Sequence, residues 1–415
     1  MSPLVVLAIL LGLAIADDKP YSGHKVIRVI PKNAGDIQFL KEFGQDEEVD
    51  FWSEPSEAGS PVEINVGRQH FVKLSKGLKR RGMKYELYID DVQKAIDNEN
   101  KGTQHLFSSI GFDYAKYNTL SSINAELSNL ANQYSNIVSK FVIGTSYQKR
   151  SMYAMKIQSQ KISSNKKVIF IDCGIHAREW ITPATCMYML KQLLEKYTAG
   201  DREVMQLVQK YDWVILPVFN VDGYEYTHNG RRLWRKTMSD NAGYNCKGAD
   251  PNRNWNYRWG GVGTSSYPCQ DTYHGKKPFS EVEVASVARY LYGIRTKLIA
   301  YYNIHAYSQL WMTPWSYTTT YPRDYAEIKR VADIATRALT SVHQTSYRVG
   351  PPSRVIYSVS GGSIDWTYGV LGVKYSYALE LRDKGQYGFI LPASQIIPTG
   401  EETFKALLAA AKEYQ

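Results

Sequence analysis

Val168-Ile169-Phe170-Ile171 is an uninterrupted run of β-branched and aromatic side chains, and the chain breaks three residues later at Gly174. Such a run reads as a strand buried on both faces, which belongs in a parallel sheet covered by helices. Ligands of open α/β sheets gather outside the carboxyl ends of the strands. Just past this carboxyl end stand His176, Arg178 and Glu179. A His and a Glu three apart converge on one side of a single turn and can offer zinc an imidazole nitrogen and a carboxylate. The H-x-x-E pattern recurs by chance in many chains, so the pair needs support from the rest of the sequence.

The flanking chain supports the fold. A helix is expected around Leu120, Ile123, Leu127 and Leu130, then a hairpin-like pair near Val142 and Met152 to Ile157. Further strands are expected at Trp213 to Val218, Leu298 to Ile304 and Tyr375 to Leu381. Amphipathic helices are expected near Cys186 to Tyr197, Val282 to Ile294, Tyr325 to Val342 and Thr403 to Lys412. Strands alternating with helices imply an α/β fold, a mixed and mostly parallel twisted sheet with helices on both faces.

A different rhythm precedes it. Strands at His24 to Ile30, Val49 to Trp52, Val62 to Val66 and Met83 to Ile89 interleave with helices at Ala34 to Phe43 and Arg68 to Lys79, and another helix starts at Asp91. Strand-helix-strand-strand-helix-strand is the order of a small ferredoxin-like domain. From Asp97 to Gln104 the chain carries no apolar side chain and reads as an exposed linker, where a trypsin-like enzyme could cut after Lys101. The expected division is 1–16, 17–101 and 102–415.

Residues 1–16, MSPLVVLAILLGLAIA, hold an apolar run too short to span a bilayer and end in a small-x-small pattern, as a cleaved signal peptide does. Export is therefore expected, with no membrane anchor. In an oxidising compartment the four cysteines are expected to form two bridges; Cys173–Cys186 with Cys246–Cys269 is the pairing favoured here among three possible connectivities. The net charge of +10 raises the question of nucleic acid, but Lys79-Arg80-Arg81 and Arg231-Arg232 are the local clusters and no nucleic-acid signature accompanies them. No nucleic-acid partner is expected.

A third metal ligand should come from another strand end, and Tyr301-Tyr302-Asn303-Ile304-His305 offers one. Two His and one Glu make a three-ligand zinc site that leaves a position open, the arrangement of a hydrolase. His176-Ala177-Arg178-Glu179-Trp180, Asp250-Pro251-Asn252-Arg253-Asn254-Trp255, His305-Ala306-Tyr307, Ile356-Tyr357 before Ser360-Gly361-Gly362-Ser363, and Glu380-Leu381-Arg382-Asp383 occur in that order. Together they resemble the secreted zinc procarboxypeptidases of the A/B family, from the pro-segment to the last helix.

The resemblance implies one zinc per chain on His176, Glu179 and His305, with Glu380 as general base and Asp250 orienting a ligating imidazole. It implies Arg235 as the group that stabilises the oxyanion, and Asn252, Arg253 and Tyr357 as the clamp on a substrate's terminal carboxylate. Arg178, Arg232 and Tyr307 would contact the penultimate part of the substrate. The implied partners are peptides with a free C-terminus and an activating trypsin-like protease.

Selectivity turns on one loop. Family members that remove Lys or Arg carry Gly-Gly-Ser-Asp-Asp-Trp, whereas this chain reads Gly361-Gly362-Ser363-Ile364-Asp365-Trp366. Ile364 makes the pocket floor apolar, which favours aromatic or aliphatic ends. The resemblance thus implies a digestive, A-like enzyme. Ser316 and the Cys173/Cys186 pair resemble the basic-specific branch instead, and Arg354 stands near the pocket wall. The alternatives are a B-like preference and a catalytically silent binding protein on the same scaffold, although none of the ligands nor Glu380 is missing.

Overall fold

The computed structural model describes residues 19–44, 49–101, 111–159 and 166–415. Its strands are β1 (Lys25–Val29), β2 (Val49–Phe51), β3 (Val62–Val66), β4 (Tyr85–Ile89), β5 (Val138–Thr145), β6 (Ser151–Ile157), β7 (Lys167–Cys173), β8 (Tyr211–Leu216), β9 (Leu298–Ala306), β10 (Leu310–Met312), β11 (Arg348–Gly350) and β12 (Tyr375–Leu381). They form a four-stranded sheet in the order β2-β3-β1-β4 and an eight-stranded sheet in the order β11-β10-β12-β9-β7-β8-β6-β5.

The eight-stranded sheet is the expected one. Its centre, β12-β9-β7-β8, is parallel, and the antiparallel β5-β6 hairpin and β10 lie to either side. Every residue from Val168 to Cys173 and from Tyr211 to Leu216 is buried, whichever way it points, so both faces of the centre are covered. The helix Ile396–Lys412 packs against Ile181–Thr198 and Tyr325–His343, while Val282–Ile294 packs on β5. Side chains at several helix starts explain where the elements begin. Thr119 accepts a hydrogen bond from Ser122 N, Asp201 from Val204 N and Asn220 from Gly223 N, each taking up a backbone donor that a first turn leaves free.

In the smaller sheet all pairs are antiparallel, and the order of strands and helices is ferredoxin-like as expected. Alternation gives this sheet two different jobs. Ile27, Val29, Val62, Ile64 and Val66 face the helices Ala34–Phe43 and Arg68–Arg80, where Leu40, Leu74 and Leu78 complete a small core. Val26 points the other way, joining Tyr21, Trp52 and Val92 in the large core of the eight-stranded unit.

The segment read as an exposed linker departs from expectation. Asp97 and Asn98 end the helix Val92–Asn98, and Glu99 is buried. A stretch without apolar residues is solvated unless a charged partner awaits it, and Arg232 is that partner. Lys101 is exposed, and 102–104 lie outside the described residues. So do residues 1–16. Among the described residues no helix is long and apolar enough to cross a membrane. Both favoured disulfides are present, with Cα atoms 6.3 Å apart for Cys173–Cys186 and 5.2 Å for Cys246–Cys269.

Candidate active site at the strand ends

The site begins where β7 stops. Gly174 takes φ +67°, and a Cβ there would stand 3.1 Å from Pro183, so the sharp exit from the strand requires glycine. The turn that follows brings His176 Nδ1 to 2.8 Å from Glu179 Oε1. β9 lies beside β7 and ends at the same level, which carries His305 Nδ1 to 3.1 Å from His176 Nδ1 and 3.2 Å from Glu179 Oε2. One ligand atom from each of the three falls within 4.8 Å of the others, and all three side chains are buried.

The outer ring nitrogens decide whether this cluster suits a cation. His176 Nε2 faces Asp250 Oδ1 at 3.0 Å, and His305 Nε2 faces Asn303 Oδ1. Asp250 Oδ1 and Asn303 Oδ1 are acceptors, and Asn252 Nδ2 also stands 3.2 Å from His305 Nε2; with its proton directed to these carboxylate and amide oxygens, each ring turns its Nδ1 lone pair inward. Two imidazole nitrogens and a carboxylate then converge without a proton between them, a donor set that fits zinc. The sequence assigns Asn303 no role beyond its place in the strand that ends at His305. Its signal was available: two positions before His305 on a strand, it shares that residue's face.

Parallel register places Glu380 of β12 opposite His305 of β9. Its Oε2 is buried without a partner among the described residues. Arg382, two residues further on, pairs with Glu402 at 2.6 Å and leaves Glu380 free of it. Burial pushes the Glu380 carboxyl well above the carboxylate range and Glu179 adds to this, while Arg235 and Arg253 pull the other way. Asp250 behaves oppositely: burial alone would raise it, but Arg235, Arg253 and His176 hold it well below its ordinary value. Arg235 Nη2 donates to Asp250 Oδ2 at 2.7 Å, fixing the guanidinium beside the histidines.

Asn252, Arg253, Arg235, Tyr307, Tyr357, Ile364 and Glu380 line one cavity together with the three ligands. Gly361, at φ +71°, comes so close to Arg253 that a Cβ would meet its carbonyl oxygen at 2.3 Å, which sets the loop that carries Ile364. Asn252 Oδ1 accepts from Ser363 N at 2.9 Å and holds the same loop. Ile364 is buried at the cavity wall with Met312, Ser316 and Val359. Asp365, the next residue, turns away and accepts from the backbone of Ser316 at 2.9 Å and Tyr317 at 3.2 Å. Arg354 turns outward, donating to Thr319 O at 2.7 Å over the Tyr321 ring.

Arg178 and Arg232 do not line the cavity; the small domain holds both. Arg178 Nη1 donates to Asp50 Oδ1 at 2.7 Å, and Arg232 Nε donates to Glu99 Oε2 at 2.8 Å, with a second bond to Oε1. Trp52 lies against Tyr307 and Phe389 and lines the cavity itself, so the small domain closes the mouth.

Residues 123–406 match the zinc carboxypeptidase family, and residues 27–99 match the carboxypeptidase activation peptide. The chain belongs to the zinc carboxypeptidase family. It is 40% identical to carboxypeptidase A2 of Rattus norvegicus over 97% of this chain and 96% of that one. Among solved structures, it is similar to thrombin activatable fibrinolysis inhibitor, with 33% identity, a TM-score of 0.86 and coverage of 94% of this chain and 98% of that one. It is similar also to a carboxypeptidase A from Helicoverpa armigera, with 26% identity, a TM-score of 0.85 and coverage of 95% and 98%. The small domain is therefore the family's activation domain, the chain is a zymogen of an A-type zinc carboxypeptidase, and His176, Glu179 and His305 are its zinc site.

Proposed function

We propose that this exopeptidase removes aromatic or large aliphatic residues from the C-terminus of peptides and proteins, as a secreted digestive precursor activated by a trypsin-like cut near Lys101. One observation carries the preference: the cavity wall at Ile364 is apolar, and the neighbouring carboxylate of Asp365 is committed to the Ser316 and Tyr317 backbone. A Lys or Arg end would be buried there without a partner, while an apolar end gains from burial. Export accords with two disulfides and with the apolar, small-x-small character of residues 1–16.

Zinc, when held by His176, Glu179 and His305, supplies a Lewis acid that polarises the scissile carbonyl and acidifies water. The chain's own groups do the rest. Arg253, with Asn252 and Tyr357 nearby, takes the substrate's terminal carboxylate; Arg253 Nη2 is buried without a partner among the described residues, so the guanidinium has a donor to spare. Glu380 accepts a proton from the attacking water and returns it to the leaving amine, a task suited to a carboxyl raised by burial. Arg235, fixed by Asp250, donates to the oxyanion as charge develops there. Asp50 and Glu99 occupy Arg178 and Arg232, which would otherwise contact the penultimate part of a substrate.

Ser316, buried at the cavity wall, favours the second reading, a pocket that accepts basic ends. Hydrolysis of blocked dipeptides ending in Phe, Leu, Lys or Arg by the cut enzyme tests both. Higher kcat/KM for Phe or Leu is expected, and a preference for Lys or Arg would overturn the A-like assignment.

A further inference from the structure

The activation domain carries a feature that closing the active site does not use. Between Glu63 and Glu86 there is no acidic residue, and seven of the 14 basic residues of 17–101 fall there, although that domain holds 16 acidic residues. The charges are therefore segregated within a domain that is acidic on balance.

The helix Arg68–Arg80 turns this segregation into geometry. At 3.6 residues per turn, Arg68, Lys73, Lys76, Lys79 and Arg80 occupy an arc of about 140° and a length of about 18 Å. Leu74 and Leu78 lie on the opposite arc, buried in the small core. All five basic side chains are exposed. The described ion pairs of the domain, Lys19–Asp97, Lys25–Asp90, Arg28–Glu63, Asp50–Arg178 and Glu99–Arg232, lie elsewhere. Past the helix end Lys84 is exposed as well, whereas Arg81 turns to the neighbouring helix, donating to Gly35 O at 3.3 Å over the Phe39 ring. The helix covers the face of the small sheet opposite to the one that docks on the catalytic unit, so the track points outward while the zymogen is closed.

We propose that this helix face is a docking track for a sulfated polysaccharide chain, which would hold the precursor while the catalytic unit stays on the far side of the activation domain. A linear run of unpaired positive charge matches a linear polyanion, since neutralising closely spaced anionic groups releases their condensed counterions. An inserting membrane helix would carry large apolar residues among the charges, and the only large hydrophobic exposed on this helix is Val72. A base-stacking surface would need aromatic rings there, and none stands on the basic arc. Binding of this kind is independent of the substrate preference proposed above.

The test measures heparin binding by the full-length precursor across a NaCl series. Lys73→Gln, Lys76→Gln and Arg80→Gln combined should lower the slope of log affinity against log salt by about two to three and weaken binding about tenfold or more at 150 mM salt. A control triple on the catalytic unit, Lys277→Gln, Arg289→Gln and Arg337→Gln, should change it less. Lys73→Arg with Lys76→Arg should leave binding intact, and equal thermal unfolding of all variants shows that the fold is preserved. Equal losses in the two Gln triples would overturn the proposal, because net charge alone would then explain binding. So would retention by phosphatidylserine vesicles through these residues with no retention by heparin.

Discussion

Glu99 of the activation domain meets Arg232 of the catalytic unit in a two-pronged ion pair, with both side chains buried. The guanidinium lies 3.7 Å over the ring of Trp180, the residue after ligand Glu179. Removing one partner of a buried pair costs about 3–5 kcal/mol, because the other charge stays unpaired. Glu99→Gln is therefore expected to loosen the docked domain and raise hydrolysis of a blocked dipeptide by the uncut chain. An uncut variant no faster than the uncut parent would show that the pair does not hold the domain shut.

Zinc should be present at one per chain and depend on all three ligands. His305→Ala leaves Glu179 and His176 without their third partner and should empty the site. Elemental analysis after dialysis is the check, and a chelator should abolish peptidase activity in the parent. Active protein without metal would end the assignment.

Glu380→Gln separates binding from chemistry. An amide keeps the shape beside His305 but cannot accept a proton, so kcat should fall roughly 10²–10⁴-fold while zinc content and KM for a Phe-ended substrate stay near the parent's. Near-normal turnover would take Glu380 out of the mechanism.

Ile364→Asp supplies a carboxylate at the cavity wall. The ratio of kcat/KM for Lys-ended over Phe-ended substrates should rise about 10–100-fold, since the variant adds a partner for the cation and removes apolar area. An unchanged ratio on matched substrates would mean that Ile364 does not contact the terminal side chain.

Much of this site was legible because strand periodicity and strand ends are strong signals. The runs at Val168 and Tyr301 told where β7 and β9 stop, and that placed His176, Glu179 and His305. The helices Ala34–Phe43 and Val282–Ile294 also fell at the expected bounds. What the sequence concealed depended on distant partners or on brevity. Glu99 sits in a stretch whose composition belongs to a solvated linker, and its burial depends on Arg232, 133 positions away. β10 and β11, three residues each, are too short to show a period. Arg354 could have faced the cavity or the solvent, and the carbonyl of Thr319 decides it.

The two-sided activation sheet gives a cut near Lys101 a particular meaning. Val26, Trp52 and Val92 stay packed in the catalytic unit's core, and Asp50 and Glu99 stay paired, whether or not the chain is continuous. Cleavage would therefore not open the site by itself. It would convert an intramolecular closure, indifferent to concentration, into an association between two molecules. Activity after the cut would then follow the dissociation of the fragment, rising on dilution and falling when the free activation domain is added back.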